Sequence, residues 1–168
     1  CGLEGAEKVR ILSDVDALAS EGLRVLAAAE TGPLAKSLAG DIEALPFAYQ
    51  GLVAFGDPVR DTVPAAVFAA KAAGIKVKMV TGDFPQTALA IAQQAGIDIA
   101  GGVLTGADLE KLGEAELRRA LVTCNVFARV QPLQKLRLVE ALRANGEVVA
   151  MTGDGVNDAP ALKRADVG

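Results

Sequence analysis

Residues 151–168 read MTGDGVNDAPALKRADVG and follow a short apolar run at residues 148–150. The run predicts a buried strand, and the last part of the segment predicts a helix. The loop between them would then lie at the carboxyl end of a strand, where open α/β sheets bind their ligands. Asp154, Asn157 and Asp158 crowd this loop, and their oxygen atoms suit a hard cation such as Mg²⁺. A surface turn rich in Asp, Asn and Gly that caps the helix is the simpler alternative.

The composition is that of a globular domain without an obvious nucleic-acid partner. The 168 residues carry a net charge of −4, and an isoelectric point near 4.9 argues against nucleic-acid binding. No apolar run of about 18 residues and no secretory leader pattern is visible, so we expect a soluble domain. Cys1 and Cys124 lack metal-site spacing and are expected to be free thiols, with Cys124 buried. The chain has no histidine, so catalysis must use carboxylates, lysine, hydroxyls or backbone groups.

Strand and helix patterns alternate in the larger, later part of the chain. Strands are expected at residues 50–55, 75–80, 103–104, 125–128 and 147–151. Helices are expected at residues 62–73, 86–95, 107–112, 114–121 and 132–144. This alternation predicts a Rossmann-like parallel sheet with helices on both faces. The first fifty residues do not alternate in this way, and only a helix at residues 13–20 and a strand at residues 23–29 are expected there.

The tripeptide TGD follows an apolar run twice, at residues 81–83 and 152–154. The Thr81 hydroxyl and the backbone N–H groups beside it are donors of the kind that hold a phosphoryl oxygen. So short a motif could equally be an ordinary loop at the end of a strand.

The segment TGDGVNDAPALKRADVG resembles the hinge signature of P-type ATPases, cation pumps whose phosphorylation domain has the haloacid dehalogenase fold. The sequences GLVAFGDPVRDTV, VKMVTGD and FARVQPLQKLRLVEAL extend this resemblance over nearly all of the chain from Gly51 onward. The resemblance implies a haloacid dehalogenase-type sheet in residues 49–168. It also implies that residues 1–48 are the carboxyl-terminal part of the nucleotide-binding domain inserted into it.

For the phosphoryl group, the resemblance implies contacts from Thr81 and Gly82, with Asp83 supporting their loop. It also implies that the Lys135 ammonium, in a PxxK element, neutralises the phosphoryl charge during attack. The helix pattern alone predicts a solvent-accessible lysine in a first helical turn.

In the segment at residues 151–168, the resemblance makes Asp154 a Mg²⁺ ligand and turns Asn157 toward the phosphate. Asp158 would orient the loop and Lys135. The candidate catalytic residues are therefore Thr81, Lys135, Asp154 and Asp158.

Four further residues resemble those that contact ATP. Arg129 ends the FAR sequence, Asp57 and Arg60 belong to a DPxR turn, and Arg24 lies in GLRVLA. The simpler alternatives are a surface salt bridge for Arg129, an internally paired loop for the turn, and an ordinary arginine beside a strand for Arg24. The family commonly has a nucleotide-contacting lysine where this chain has Glu4.

The chain has no DKTGT motif, in which these pumps carry the aspartate that accepts the phosphoryl group. We therefore expect a piece of a longer pump, whose nucleophile strand, remaining nucleotide domain and membrane helices are its partners. The piece alone would be inactive, because covalent catalysis requires the nucleophile.

The implied activity is Mg²⁺-dependent transfer of a phosphoryl group from ATP to that aspartate, coupled to cation transport. The chain would then be a cytoplasmic part of an integral membrane protein, with the plasma membrane as the expected location. A stand-alone haloacid dehalogenase-like phosphatase and a non-catalytic nucleotide-sensing or interaction domain are the alternatives.

The resemblance places the nucleophile strand between the strand that ends at Thr81 and the strand that ends at Thr152. Adjacent strands lie about 4.8 Å apart, so a missing central strand would separate its neighbours by roughly twice that distance. Without that strand the polypeptide is not expected to fold stably. Three outcomes are therefore expected as alternatives: the rest of the pump supplies the strand, another segment fills its place, or the two neighbouring strands close up and pair directly.

Overall fold

A computed structural model describes residues 3–32, 45–153 and 155–168. The chain forms two compact units, Cys1–Pro58 and Val59–Gly168. The predicted boundary lay between residues 48 and 49, but a strand runs through that position and pairs within the first unit. The assignment of the units to a nucleotide-binding and a phosphorylation domain stays a prediction. No helix among the described residues is long and apolar enough to span a membrane.

The first unit contains one helix and one strand pair: α1 (Gly5–Ser20), β1 (Arg24–Glu30) and β2 (Ala48–Phe55). The two strands are antiparallel, with a register shift between Ala28 and Ala29. Helix α1 begins well before the predicted start at Ser13, because the preceding residues include the good helix formers Ala, Glu, Lys, Arg and Leu.

The second unit contains the alternating elements. They are α2 (Val63–Ala72), β3 (Met79–Val80), α3 (Pro85–Gln94), β4 (Val103–Thr105), α4 (Gly106–Lys111), α5 (Glu114–Thr123), β5 (Val126–Ala128), α6 (Pro132–Ala144), a 3₁₀ turn (Val156–Asp158) and α7 (Ala159–Arg164). Strands β3, β5 and β4 form a parallel sheet in that order. The predicted α/β class and parallel sheet are confirmed.

Strand β5 is central, and its side chains show how both faces of the sheet are covered. Phe127 is 1% exposed and packs among apolar residues of α4, α5 and α6. Val126 and Ala128 pack instead with Ala88 and Ala92 of α3. Because successive side chains of a strand point to opposite faces, helices cover both faces, as the Rossmann-like prediction requires. Cys124 is a buried free thiol, as predicted, and Cys1 lies outside the described residues.

The strand predicted at residues 147–151 is wrong. Ala150 makes an isolated parallel bridge with Val167. In the described part of the chain, this bridge is not extended into a ladder of several residue pairs. The backbone N–H of Val149 donates to the Asp166 carboxylate at 2.9 Å instead of to a neighbouring strand. An amide that a side chain has already bonded cannot contribute to a ladder. The strand predicted at residues 75–80 is likewise reduced to Met79 and Val80.

The ends of these two segments line a common cleft. Within the described residues, 77–80 and 149–151 do not pair with each other, so the direct pairing considered above is not observed there. Both line a cleft of about 680 Å³ in the second unit. Its inner wall is apolar and includes Phe127, Leu138 and Val139.

Candidate functional site

The loop after β3 is fixed to the end of β5 by backbone hydrogen bonds. The Thr81 N–H donates to the Phe127 carbonyl at 2.9 Å, and the Val130 N–H donates to the Thr81 carbonyl at 3.1 Å. The Thr81 hydroxyl donates to Asp83 Oδ2 at 2.8 Å and accepts from the Asp83 N–H at 3.1 Å. Asp83 therefore holds the Thr81 hydroxyl in one orientation, at the carboxyl edge of the sheet.

Lys135 lies in the first turn of α6 and forms an ion pair with Asp158. Its Nζ is 2.6 Å from Asp158 Oδ1, and the side chains are 17% and 11% exposed. The predicted solvent-accessible lysine is therefore wrong: the ammonium is mostly enclosed and has a carboxylate partner. The pair joins α6 to the loop before α7, and the orienting role of Asp158 stays a prediction.

Gly153 is the residue that allows Asp158 to sit so close to the preceding backbone. A Cβ at Gly153 would lie 2.7 Å from Asp158 Oδ2, well inside contact distance. The Asp158 N–H donates to the Gly155 carbonyl at 2.9 Å, which turns the chain back on itself. The loop thus wraps around the carboxylate that Lys135 contacts.

The sequence analysis missed Gln134, which fixes the start of α6. Its Oε1 accepts from the Gln131 N–H at 2.9 Å, and its Nε2 donates to the Gly106 carbonyl at 3.0 Å and to Glu110 Oε1 at 3.1 Å. The side chain is buried, and it positions the turn that carries Lys135. The signal was present, because a polar residue followed three positions later by Gln is a capping-box pattern.

Four predicted residues of the second unit line the same cleft. Thr81, Gly82, Lys135 and Asp158 all line it, together with Thr152 and Gly153. Asn157 is exposed in the 3₁₀ turn and is not among the described residues that line the cleft. Asp154, the predicted Mg²⁺ ligand, lies outside the described residues.

Arg129 follows β5 and has an unusual backbone. Its φ is +53°, the left-handed region that costs a non-glycine residue about 1–2 kcal/mol. Its guanidinium lies 5.8 Å from the centre of the Phe84 ring, within the range of a cation–π contact. The ion pairs found among the described residues do not include Arg129, so the structure gives no support there to the surface salt bridge considered for it.

The other predicted nucleotide contacts are distributed over both units. Arg24 begins β1, and Asp57 follows β2, both in the first unit, whereas Arg60 belongs to the second. All three are exposed. Their roles stay predictions.

Lys78, a basic residue that also lines the cleft, has a structural role. Burial lowers the pKa of Lys78 from its ordinary value of 10.5. Its Nζ donates to the carbonyls of Leu121 and Cys124, each at 2.8 Å, and to Asn125 Oδ1 at 2.9 Å. Three acceptors match the three N–H bonds of an ammonium, so Lys78 fastens the entry to β3 to the end of α5.

The magnesium assignment has to be weighed against the carboxylates that the structure describes. No group of three His, Cys, Asp or Glu side chains that could hold a metal occurs among them. Mg²⁺ in phosphoryl-transfer sites usually takes one or two carboxylates, with phosphate oxygens and water completing its shell. Because Asp158 is engaged by Lys135, the magnesium assignment depends on Asp154.

Sequence comparisons relate this chain to known proteins. The family described as haloacid dehalogenase-like hydrolase matches residues 4–166. The chain is 47% identical to the probable cation-transporting ATPase F of Mycobacterium tuberculosis, over 99% of this chain and 20% of that protein. It is 49% identical to the cation-transporting ATPase pma1 of Synechocystis, over 96% of this chain and 18% of that protein.

A third relative comes from yeast. The calcium-transporting ATPase 1 of Saccharomyces cerevisiae is 40% identical, over 99% of this chain and 18% of that protein. The chain thus spans about a fifth of the length of these curated relatives.

Proposed function

This chain belongs to the haloacid dehalogenase-like hydrolase family, and we propose that it is part of the ATP-hydrolysing unit of a P-type cation pump. The second unit would supply most of the phosphorylation domain, and the first would supply the end of the nucleotide-binding domain. The observation that carries the proposal is the meeting of Thr81, Lys135 and Asp158 in one cleft at the carboxyl edge of the sheet.

The cleft has the chemical character that a phosphoryl site needs. Phosphoryl transfer requires positive charge near the equatorial oxygens and donors in fixed positions, and little covalent chemistry from the protein. Lys135 supplies an ammonium whose place is set by Asp158 at 2.6 Å. Thr81 supplies a hydroxyl whose place is set by Asp83 at 2.8 Å, and its single O–H would turn from Asp83 to a phosphoryl oxygen when the group binds. Both positions are organised before any ligand arrives.

In the proposed reaction, an aspartate carboxylate oxygen on a separate segment attacks the γ-phosphorus of ATP. The bond from this phosphorus to the bridging oxygen of the β-phosphate breaks, and ADP leaves. Lys135 balances the charge on the transferring group, and Thr81 and Gly82 hold its oxygens. Mg²⁺, held by Asp154 and phosphate oxygens, would add positive charge at the same group.

The nucleotide itself would be held by exposed residues outside the cleft. We assign Arg129, Asp57 and Arg60 to the ATP contacts beside the phosphoryl site. Arg24 of the first unit would reach the phosphates. Asn157 would complete the phosphate contacts from the 3₁₀ turn.

The apolar part of the cleft would receive the strand that carries the nucleophile. Strand β3 pairs with β5 along one side, and its residues line the cleft. A strand entering there would gain backbone hydrogen bonds and bury apolar side chains against Phe127 and Val139. This strand and the membrane helices would belong to the same pump. The chain would then lie at the cytoplasmic face of a membrane, and we propose the plasma membrane.

The proposal is tested by joining a strand that ends in DKTGT to this chain through a flexible linker. With ATP and Mg²⁺, we expect a phosphorylated protein whose label is released by hydroxylamine, as for an acyl phosphate. The control has asparagine in place of the DKTGT aspartate and should not be labelled. Hydrolysis of p-nitrophenyl phosphate without labelling by ATP would indicate a stand-alone phosphatase instead. ATP binding without either reaction would indicate a non-catalytic domain.

The metal assignment has its own test. Asp154→Asn keeps the size of the side chain and removes its charge, so Mg²⁺ affinity measured by calorimetry should fall about tenfold or more. The exposed Asp16, on α1, provides the control Asp16→Asn. Equal Mg²⁺ affinity in the wild type and in Asp154→Asn would contradict the assignment.

A further inference from the structure

The backbone around Arg129 is fixed on three sides in its left-handed conformation. Its N–H donates to the Asp83 carbonyl at 3.1 Å, and the next N–H, of Val130, donates to the Thr81 carbonyl at 3.1 Å. Its own carbonyl lies so close to Gly106 that a Cβ there would be 2.4 Å from it. Arg129 has a positive φ of 53°, and no other non-glycine residue in the described part of the chain has one. A strained residue that its surroundings hold this firmly points to a function for its side chain.

The side chain of Arg129 then reaches back over the loop that follows β3. Its guanidinium faces the ring of Phe84 at 5.8 Å from the ring centre. Phe84 follows Asp83 directly, so the ring belongs to the same loop as Thr81 and Gly82. The contact therefore links the ends of β3 and β5 through a second route, in addition to the backbone hydrogen bonds.

The backbone that carries the Phe84 ring is restricted as well. Phe84 has φ −66° and ψ 145°, and Pro85 follows it as the first residue of α3. A residue before proline is restricted to extended conformations, so the backbone of Phe84 is set before the helix begins. Its side chain is half-buried, with one face available to the guanidinium.

An exposed arginine otherwise loses much rotamer freedom when it binds a ligand. A long, flexible side chain must be ordered at that moment, and this ordering weakens binding. Guanidinium groups stack on aromatic rings. A neighbouring ring can therefore hold the guanidinium in one plane before the ligand binds.

We propose that Phe84 is a positioning residue that holds the Arg129 guanidinium over the loop at residues 81–84, where it receives the nucleotide. The inference rests on the proposed function, in which Arg129 contacts ATP. Phe84 acts through Arg129 and does not itself touch the phosphoryl group.

The test compares substitutions that remove the ring with one that keeps it. Phe84→Leu and Phe84→Met remove the aromatic face, and Phe84→Tyr retains it. We expect ATP affinity of the full chain, measured by calorimetry, to fall about two- to fivefold in the first two variants and to stay at the wild-type value in Phe84→Tyr. Two ring-less variants of different shape are used so that a folding defect in one does not decide the result.

A ligand-free measurement reads the positioning directly. The order parameter of the Arg129 Nε–H group, from nuclear magnetic resonance relaxation, should fall in Phe84→Leu and remain high in Phe84→Tyr. A purely structural role for Phe84 would lower the thermal midpoint without changing this local order parameter. An unchanged order parameter in both ring-less variants would overturn the inference.

Arg129→Gly separates this inference from the function on which it rests. Glycine adopts the left-handed backbone without strain, so the thermal midpoint should rise while ATP affinity falls. Reduced ATP affinity in Arg129→Gly with unchanged affinity in both ring-less variants would overturn only the positioning role. Unchanged ATP affinity in Arg129→Gly would contradict the proposed nucleotide contact, and the inference would fail with it.

Discussion

Lys135 Nζ and Asp158 Oδ1 lie 2.6 Å apart, and this pair ties the first turn of α6 to the loop that precedes α7. Neither residue is near the other in sequence, so the loop is positioned by the ion pair and by the fold that brings the two elements together. Both side chains are mostly enclosed, at 17% and 11% exposure, so water screens the pair only weakly.

The first prediction measures the strength of this pair. Lys135→Met and Asp158→Asn should each lower the free energy of unfolding by about 1–3 kcal/mol, because the first leaves a mostly enclosed carboxylate without its donor and the second leaves a mostly enclosed ammonium without its counter-charge. The double variant should lose less than the sum, with a coupling energy of about 0.5–3 kcal/mol in urea denaturation.

An exposed ion pair serves as the matched control for this cycle. Arg164 and Glu140 are 3.0 Å apart, with side chains 52% and 49% exposed. The cycle of Arg164→Met and Glu140→Gln should give a coupling energy below about 1 kcal/mol. Equal coupling energies in the two cycles would show that the Lys135–Asp158 pair stabilises the fold no more than an exposed ion pair does.

The second prediction concerns the close approach at Gly153. Gly153→Ala places a methyl group 2.7 Å from Asp158 Oδ2, so the carboxylate must move away from Lys135. We expect a loss of about 1–3 kcal/mol in unfolding free energy, since the added atom has no room. Gly82→Ala adds a methyl group with nothing within 4 Å, and its thermal midpoint should match the wild type or exceed it. A stable Gly153→Ala variant would mean that the loop has another conformation.

The third prediction is a pH dependence at Asp166. The Val149 N–H, and to a lesser extent the charge of Arg143, hold the pKa of Asp166 below its ordinary value of 3.8. A carboxyl group with a lowered folded-state pKa stabilises the fold above its unfolded pKa, and the contribution is lost as pH falls through the folded pKa. The stability difference between wild type and Asp166→Asn should therefore shrink as pH falls below about 3.8.

Salt separates the two causes at Asp166. A backbone hydrogen bond is screened less than an exposed ion pair, so most of the pH-dependent difference should remain at high salt. Chemical denaturation at several pH values, with and without added salt, measures both effects. If the difference in unfolding free energy between the wild type and Asp166→Asn stays constant over the acidic range, the prediction is contradicted.

The fourth prediction tests how α6 is anchored. Gln134→Leu keeps the volume of the side chain and removes its hydrogen bonds to Gln131, Gly106 and Glu110. The unfolding free energy should fall by about 1–3 kcal/mol, because a buried carbonyl and a helix-start N–H lose their partners. Gln93→Leu, at an exposed position of α3, is the control and should change stability by no more than about 0.5 kcal/mol. Equal stability of the two variants would contradict the anchoring role.

Helix α6 shows what could be predicted from the sequence. Pro132 sets its start, Asn145 and Gly146 follow its end, and the predicted and observed bounds are the same. The parallel sheet and its two covered faces were also predictable, because strands and helices alternate and short apolar runs separate them. The approach of Lys135 to the loop at residues 152–158 was expected only through the family resemblance.

The segment at residues 147–151 shows what could not be predicted. Its apolar residues fit a buried strand, but the Asp166 carboxylate bonds the Val149 N–H that a ladder would need. The choice between these partners depends on residues far away in sequence, which a local pattern does not contain. The burial of Lys135 has the same origin, since its partner Asp158 comes from a different element.

The bridge between Ala150 and Val167 also makes residues 151–166 a loop with joined ends. Met151 N–H donates to Val167 at 2.8 Å, and Asp166 N–H and Val167 N–H donate to Val149 at 2.9 and 3.1 Å. A segment closed in this way can open as one cooperative unit while the sheet stays intact. The amide protons of Met151, Asp166 and Val167 would then exchange with solvent at a common rate, faster than those of β5. The ion pair between the Asp158 carboxylate and Lys135 would thus form and break in a single step, together with the rest of this segment.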